Sequence, residues 1–259
     1  MTGQTLTARS AIASTLLGVS PPELPTRSLV ATAELMGIAG GTARVAMSRM
    51  VAAGELEATE TGYRLVSLPL LARHSRQALS REGITTKWDG TWRTAIVNSE
   101  GRPAPERAEL RAVMAALRYG ELREGVWLRP ANLPGDPAPE ARALVAERCT
   151  LLDSRPDQPV ALAGRLWDLP AWSARTKVLS GDLDRLGARL NLHDHTALAE
   201  GFTISAAVLR HLQADPLLPA EILPASWPGD RLRAQHRTYD QAFKTALTAW
   251  LRTRQDHRS

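Results

Sequence analysis

Cysteine is nearly absent from this sequence, because Cys149 is the only one among 259 residues. A single thiol cannot form an intramolecular disulfide, which suits a reducing compartment such as the cytoplasm. No histidine lies near Cys149 in sequence, so a small buried apolar side chain is a better interpretation than a nucleophile. No apolar run approaches the ~18 residues that span a bilayer, and the N-terminus has no signal-peptide pattern. We therefore expect a cytoplasmic protein with no membrane partner.

Patterns that carry catalytic or metal chemistry are equally scarce. No glycine-rich phosphate loop of the usual types is present. The closest approach to a metal site is the run His193-Asp194-His195, with no other histidine or cysteine nearby to complete it. A solvated loop or a helix N-terminus is the simpler interpretation. The sequence predicts no metal site, no cofactor and no enzymatic activity.

The charge balance is basic overall, with a net charge of +5 and a pI near 10.0. This balance is compatible with a polyanionic partner but does not identify one. Residues 1–66 hold five arginines and five glutamates. A DNA surface in this segment therefore depends on charges sorted to one face.

The first 66 residues have the element order of a winged helix-turn-helix. Periodic apolar positions predict three helices, Gly37 ends the second, and two short strands follow the third. In such a domain the helix after the turn enters the major groove of DNA. A stiff proline-containing linker is expected between the first two helices. The predicted elements are helices Ala8–Leu17, Ser28–Met36 and Thr42–Ala53 and strands Glu55–Ala58 and Tyr63–Val66.

The helix Thr42–Ala53 has two distinct faces. Ala43, Met47 and Met50 share a face that must point inward, and arginines lie on the opposite arc. Arg49 has an alternative role, since it could pair with Glu55. A small helical domain that binds no nucleic acid is the other interpretation of the whole segment. The candidate DNA-binding residues are Arg27, Thr42, Arg44, Val45, Ser48, Arg49 and Arg64.

The middle of the chain alternates between strand and helix patterns. This order, with helix Leu68–Arg81 before it, favours a ferredoxin-like α/β sandwich. On the first helix of this region, Arg107, Arg111 and Arg118 are expected to face outward. The predicted elements are strands Thr91–Asn98, Glu121–Arg129 and Pro159–Trp167 and helices Pro105–Tyr119 and Pro139–Cys149.

Strand patterns are absent after Pro170, and three helices are predicted there. They are Ala171–Leu190, which Gly181 interrupts, Leu198–Ala214 and Arg231–Arg254. A proline-rich connector, Asp215–Asp230, precedes the last one. The fold class is therefore α+β and multidomain, with expected domains at 1–87, 88–168 and 169–259.

The connector carries a family resemblance. Its sequence with the preceding residues, RHLQADPLLPAEILPASWPG at 210–229, closely resembles the C-terminal signature of PaaX-type repressors, "LxxDPxLPxELLPxxWPG". Stretches 45–50, 125–130 and 166–169 are similar in the same order, so the resemblance spans nearly the whole chain. It implies a winged helix-turn-helix, a Cas2-like middle domain and a helical C-terminal domain. It also implies a homodimeric repressor of aromatic-acid catabolism, typically of phenylacetate, that binds a double-stranded DNA operator and is relieved by an acyl-CoA thioester.

The sequence departs from the family pattern at two points near the DNA-binding helix. The turn before that helix reads Ala39-Gly40-Gly41 and lacks a capping serine, a loss of about 1 kcal/mol, which leaves Thr42 as the candidate cap of a shorter helix. The wing is short, and Arg64 is its only obvious basic residue. Both features predict weaker DNA contact.

The tryptophans have packing as their default role. The functional alternative is that Trp127, Trp167, Trp172 and Trp227 wall a pocket for an aromatic acyl group, with Arg129 and Arg165 near its phosphates or thioester carbonyl.

A different class of function follows from the middle domain. It could make the chain a metal-dependent nuclease, or an RNA- or protein-binding module. Cas2-type nucleases place a metal-binding aspartate at the end of the first strand, where this sequence has Asn98, a poor ligand for Mg²⁺.

Overall fold

The computed structural model describes residues 7–19, 21–71, 80–98, 101, 103–134 and 139–256. The chain divides into two compact units. The first unit comprises Met1–Ser75, Arg185–Thr203 and Tyr239–Ser259, and the second comprises Arg76–Asp184 and Ile204–Thr238. The last third of the sequence therefore contributes to both units. The protein is α+β, with two separate antiparallel sheets and helices packed with each.

Three helices and a small antiparallel sheet form the N-terminal part of the first unit. The sheet has the strand order β1-β3-β2. Strand β1 corrects the sequence interpretation, because residues predicted to form a stiff linker pair with β3 along its length. The elements are helices α1 (Ala8–Leu17), α2 (Thr26–Leu35) and α3 (Gly40–Ala52) and strands β1 (Glu23–Pro25), β2 (Leu56–Ala58) and β3 (Gly62–Leu65).

The three helices share one apolar core. Leu16 of α1, Leu29 of α2 and Met47 of α3 are each no more than 1% exposed. Helix α1 is capped by Thr7, whose hydroxyl accepts a hydrogen bond from the Ser10 amide. Helix α3 has no side-chain cap. The prediction that Thr42 caps a shorter helix is wrong, because α3 begins at Gly40 and places Thr42 inside its first turn.

The second unit contains a four-stranded antiparallel sheet with the strand order β5-β6-β4-β7. Two helices follow strands β4 and β6 in the sequence, and a third follows β7. The elements are strands β4 (Trp92–Val97), β5 (Gly120–Arg123), β6 (Val126–Pro130) and β7 (Cys149–Ser154) and helices α4 (Ala104–Ala116), α5 (Pro139–Arg148) and α6 (Pro159–Leu166).

Three predictions for this region are wrong. The single strand predicted over Glu121–Arg129 is a hairpin, because Gly125 adopts a left-handed φ of 77° and turns the chain. Cys149 begins strand β7 rather than ending a helix. The strand predicted over Pro159–Trp167 is helix α6, which has proline in its first turn, where the missing N–H costs nothing.

Alternation along the strands gives the sheet two buried faces. Ala95 and Trp127 pack with Leu110 and Met114 of α4 on one face. Trp92 and Leu128 lie on the other face and pack in a cluster that contains Ala163 of α6 and Ile222. Side chains that are neighbours in sequence on β6 therefore belong to different cores.

Long helices dominate the C-terminal third. Gly181 does not interrupt the first of them, contrary to expectation. They are α7 (Leu169–Asn191), α8 (Ala197–Gln213) and α9 (Gly229–Asp256), with a 3-10 turn at Ala220–Ile222 in the connector. Among the described helices, none is both long and apolar enough to cross a bilayer. The helix predicted over Leu68–Arg81 falls largely on residues 72–79, outside the part of the chain that the structure describes.

A buried ion pair ties the connector to α9 within the second unit. The Arg233 guanidinium donates to the Asp215 carboxylate at 2.6 Å, and both side chains are at most 3% exposed. Arg118, predicted to face outward, instead donates to the backbone carbonyls of Gln213 and Asp215 and to the Ser80 hydroxyl. Its burial lowers the pKa of Arg118 to about 10.

Gly62 lies where strand β1 approaches β3 most closely. A Cβ on this residue would lie 2.0 Å from the Leu24 carbonyl oxygen, whereas a Cβ on Gly41 would have no atom within 4 Å. We expect Gly62→Ala to lower the free energy of unfolding by about 1–3 kcal/mol. Gly41→Ala is the matched control and is expected to raise it by up to about 1 kcal/mol, because alanine favours the helix. Urea unfolding of both variants measures the difference, and equal midpoints would contradict the close approach.

Candidate nucleic-acid interface and effector residues

Helix α3 presents a polar, basic outer face. Arg44, Ser48 and Arg49 are exposed along it, whereas Ala43 and Met47 on the opposite face are fully buried. The helical repeat of 3.6 residues separates the two sets, as the sequence predicts. The structure therefore brings four of the candidate residues, including Val45, onto one surface.

The two arginines of this face are free of carboxylates. Within the described residues, neither the Arg44 nor the Arg49 guanidinium forms an ion pair or a hydrogen bond. Glu55, the alternative partner of Arg49, is bound instead by Arg9 of α1, whose Nε lies 2.8 Å from Oε2. Hydrogen bonding by Arg9 lowers the pKa of Glu55. The Arg9–Glu55 pair thus removes the carboxylate that could have neutralised Arg49.

Smaller side chains complete the face. Val45, an apolar residue of this face, is 52% exposed. The Ser48 hydroxyl donates to the Arg44 carbonyl at 3.2 Å and keeps its oxygen available as an acceptor. Thr42 is exposed in the first turn.

The remaining two DNA-binding candidates differ in their pairing. Arg27 is exposed in the first turn of α2 and has no ion-pair partner in the described chain. Arg64 is exposed on β3, but its guanidinium contacts Glu23 at 2.8 Å and Glu57 at 3.5 Å. Its hydrogen bond to Glu23 raises the pKa of Arg64. Two carboxylates therefore compete with any phosphate for this residue.

The effector candidates do not share one pocket. Trp127 and Arg129 lie on the sheet face covered by α4, whereas Trp167 stacks on Trp92 at 6.3 Å on the opposite face. Arg165 is exposed near the end of α6. The sheet therefore separates Trp127 from Trp167.

Trp172 and Trp227 stack on each other, and Trp227 also packs against the cluster that contains Trp167. The Trp172 ring lies between Trp227, with centroids 4.4 Å apart, and His211, with centroids 4.3 Å apart. The Trp172 indole donates to the His211 carbonyl at 3.2 Å, and the His211 Nε2 lies 2.9 Å from the Thr176 hydroxyl. Burial lowers the pKa of His211. These contacts give both tryptophans a packing role.

A cleft in the sheet-containing domain was missed by sequence reasoning. It has a volume of about 640 Å³ and lies between α4 and the β5–β6 hairpin. Trp127 is its only lining residue among the sequence candidates. Arg107 and Arg111 line it from α4, and Arg123 lines it from the hairpin. The sequence predicts that the α4 arginines face outward but contains no signal that the hairpin folds beside them.

Asp194 and Asn98, two of the residues considered for metal binding, have other partners. Asp194 accepts hydrogen bonds from Arg189 at 2.8 Å and from Thr196, and these bonds lower its pKa. Asn98 accepts a hydrogen bond from the Thr150 hydroxyl at 2.6 Å. The described residues contain no group of three or more histidine, cysteine or carboxylate side chains placed to hold a metal ion.

Comparisons with known proteins cover almost the full length. No curated protein matches the chain. A solved structure, the uncharacterized protein Rv0674 from Mycobacterium tuberculosis, is 42% identical with a TM-score of 0.76, over 94% of this chain and 98% of that one. Three family models match in order: PaaX-like protein at 7–67, PaaX protein central Cas2-like domain at 85–161, and PaaX-like protein C-terminal domain at 167–253. The chain therefore belongs to the PaaX family.

Proposed function

We propose that this protein is a DNA-binding transcriptional repressor whose helix α3 contacts the major groove. Membership of the PaaX family suggests a transcriptional regulator of phenylacetate catabolism. The observation that carries the proposal is the outer face of α3, where Arg44 and Arg49 are exposed without a carboxylate partner. In this proposal α1 to α3 and their sheet form a winged helix-turn-helix, and β4 to β7 with α4 and α5 form a ferredoxin-like domain.

The chemistry of the α3 face suits base edges. A guanidinium can donate two hydrogen bonds to O6 and N7 of guanine, and an apolar side chain such as Val45 can contact the methyl group of thymine. The uncapped start of α3 leaves amide N–H groups unsatisfied, and open space beside Gly41 allows a phosphate to approach them. Because Glu23 and Glu57 both engage Arg64, we assign affinity mainly to α3 and Arg27.

The α3 face is tested by two arginine substitutions. Arg44→Ala and Arg49→Ala are each expected to weaken operator binding by about 1–3 kcal/mol, or roughly 5-fold to 150-fold, because each removes a guanine contact. The melting temperature should stay nearly constant, since both side chains are exposed. A gel shift on the upstream region of the gene measures the effect.

Arg252→Ala is the matched control, because Arg252 is exposed on α9 within the same unit. It removes the same charge from a surface that the proposal does not use. Wild-type binding by both α3 variants, or equal weakening by the control, would remove α3 as the contact.

The repressor is proposed to act as a homodimer. Two identical domains related by a two-fold axis contact inverted half-sites, whose centres are whole helical turns apart, ~34 Å or a multiple. Footprinting should therefore show two protected half-sites with inverted sequence. A single asymmetric site, or sedimentation as a monomer at the concentration that binds DNA, would contradict the dimer.

An acyl-CoA thioester is the proposed effector, on the strength of the family resemblance. To release DNA, the ligand must bind the DNA-incompetent state better than the competent one. Linkage then requires that DNA weaken ligand binding by the same factor. Because the six candidate residues lie on both faces of the sheet, the proposal concerns the class of ligand. The rigid connector with Trp227 is one candidate contact.

Calorimetry with phenylacetyl-CoA and with free coenzyme A tests the effector. Phenylacetyl-CoA is expected to bind and to release DNA in a parallel gel shift, whereas free coenzyme A should do neither, because it lacks the aromatic acyl group. The two compounds share every phosphate, so the comparison isolates the thioester. Equal binding of both, or of neither, would count against this effector and leave the DNA-binding proposal intact.

A further inference from the structure

Arg129 is a buried cation with an incomplete set of partners. It lies on β6, on the sheet face covered by α4, and its side chain is only 5% exposed. Its Nη1 donates to the Pro130 carbonyl at 3.2 Å, and its guanidinium carbon lies 5.3 Å from the centre of the Tyr119 ring. Its Nε is buried without a hydrogen-bond partner. No carboxylate of the described chain pairs with it.

The charged neighbours of Arg129 are other arginines. Arg93 of β4 is its direct partner in the antiparallel register, and like charges in that position repel. Burial lowers the pKa of Arg129, the nearby Tyr119 opposes this shift, and the fields of Arg93 and of Arg142 on α5 lower the pKa further. Arg93 is exposed, and Asp153, its register partner on β7, makes no ion pair among the described residues.

Burying an unpaired guanidinium destabilises the folded state unless an opposite charge pairs with it. Desolvating a guanidinium costs several kcal/mol, and buried charges in proteins are normally paired and hydrogen-bonded. Arg129 and Arg93 are paired in the strand register on one face of the sheet, and Tyr119 lies beside the Arg129 guanidinium. Together they offer what a tetrahedral or planar oxyanion requires, namely several N–H and O–H donors and positive charge. Arg129 is too buried to reach a DNA backbone, so the fitting anion is small.

We propose that Arg129, Arg93 and Tyr119 form a binding site for a small oxyanion, a phosphate or the phosphoryl group of a small ligand. Arg129 is the buried donor at the base of the site, and Arg93 closes it from the exposed side. Arg129 is also one of the candidate effector contacts, but the site is tested with inorganic anions in the absence of DNA, so its failure would leave the proposed repressor function intact. The site is also distinct from the cleft beside Trp127, which neither arginine lines.

Calorimetry of the full-length protein with inorganic pyrophosphate, and separately with orthophosphate, tests the site in the absence of DNA. Saturable binding of one anion per chain is expected at physiological ionic strength. Arg93→Gln should weaken it about tenfold by removing one charge-assisted contact. Arg129→Gln should abolish binding. If the Arg129→Gln variant does not fold, because Arg129 is buried, the exposed Arg93→Gln variant still tests the site.

Arg231→Gln is the control, because Arg231 is exposed on α9 in the same unit and has no described ion-pair partner. It changes the net charge equally and should leave pyrophosphate binding within about twofold of wild type. No saturable binding to the wild type would overturn the site, as would equal weakening by Arg93→Gln and Arg231→Gln. Displacement of pyrophosphate by duplex DNA would assign these arginines to the nucleic acid instead and would also overturn it.

Discussion

The buried ion pair between Arg233 and Asp215 joins three segments of the second unit. The pair joins the start of α9 to the connector after α8, and Arg118 adds hydrogen bonds from the end of α4. Removing one partner of such a pair leaves the other charge buried and unpaired, which lowers the free energy of unfolding by about 3–5 kcal/mol. Arg118 has a left-handed φ of 65° in the turn that ends α4, where the Tyr119 amide donates to the Met114 carbonyl. The path of the connector is therefore fixed by charge as well as by its prolines.

This geometry gives the family signature a structural meaning. Asp215 is the buried carboxylate, and Trp227 stacks on Trp172. A Cβ on Gly229 would lie 2.8 Å from both the Asp215 carboxylate and the Trp227 indole nitrogen, so the backbone must approach closely there. These signature residues contact one another rather than forming an open cavity. Packing of the connector against α7 and α9 accounts for the positions of these residues.

The DNA-binding proposal depends on which arginines are neutralised rather than on how many there are. The N-terminal segment has equal numbers of arginines and glutamates, so its net charge gives no field to attract DNA. Pairing separates them, because Arg9 and Arg64 hold glutamates while Arg44 and Arg49 do not. The unpaired guanidiniums lie on one helix face. Local sorting of charge therefore creates a basic surface on a nearly neutral domain.

Periodicity within the sequence determined the helices of the N-terminal and C-terminal regions and the buried face of α3, because helix contacts repeat every 3.6 residues along the chain. Short segments were decided by tertiary structure. Strand β1 exists because β3 pairs with it, and Pro159–Leu166 is a helix although its apolar run also fits a strand. Tertiary structure also decided that Arg49 does not pair with Glu55. The carboxylate that could have paired with it binds Arg9, which lies 46 positions away in sequence, and no local pattern encodes a contact that only folding creates.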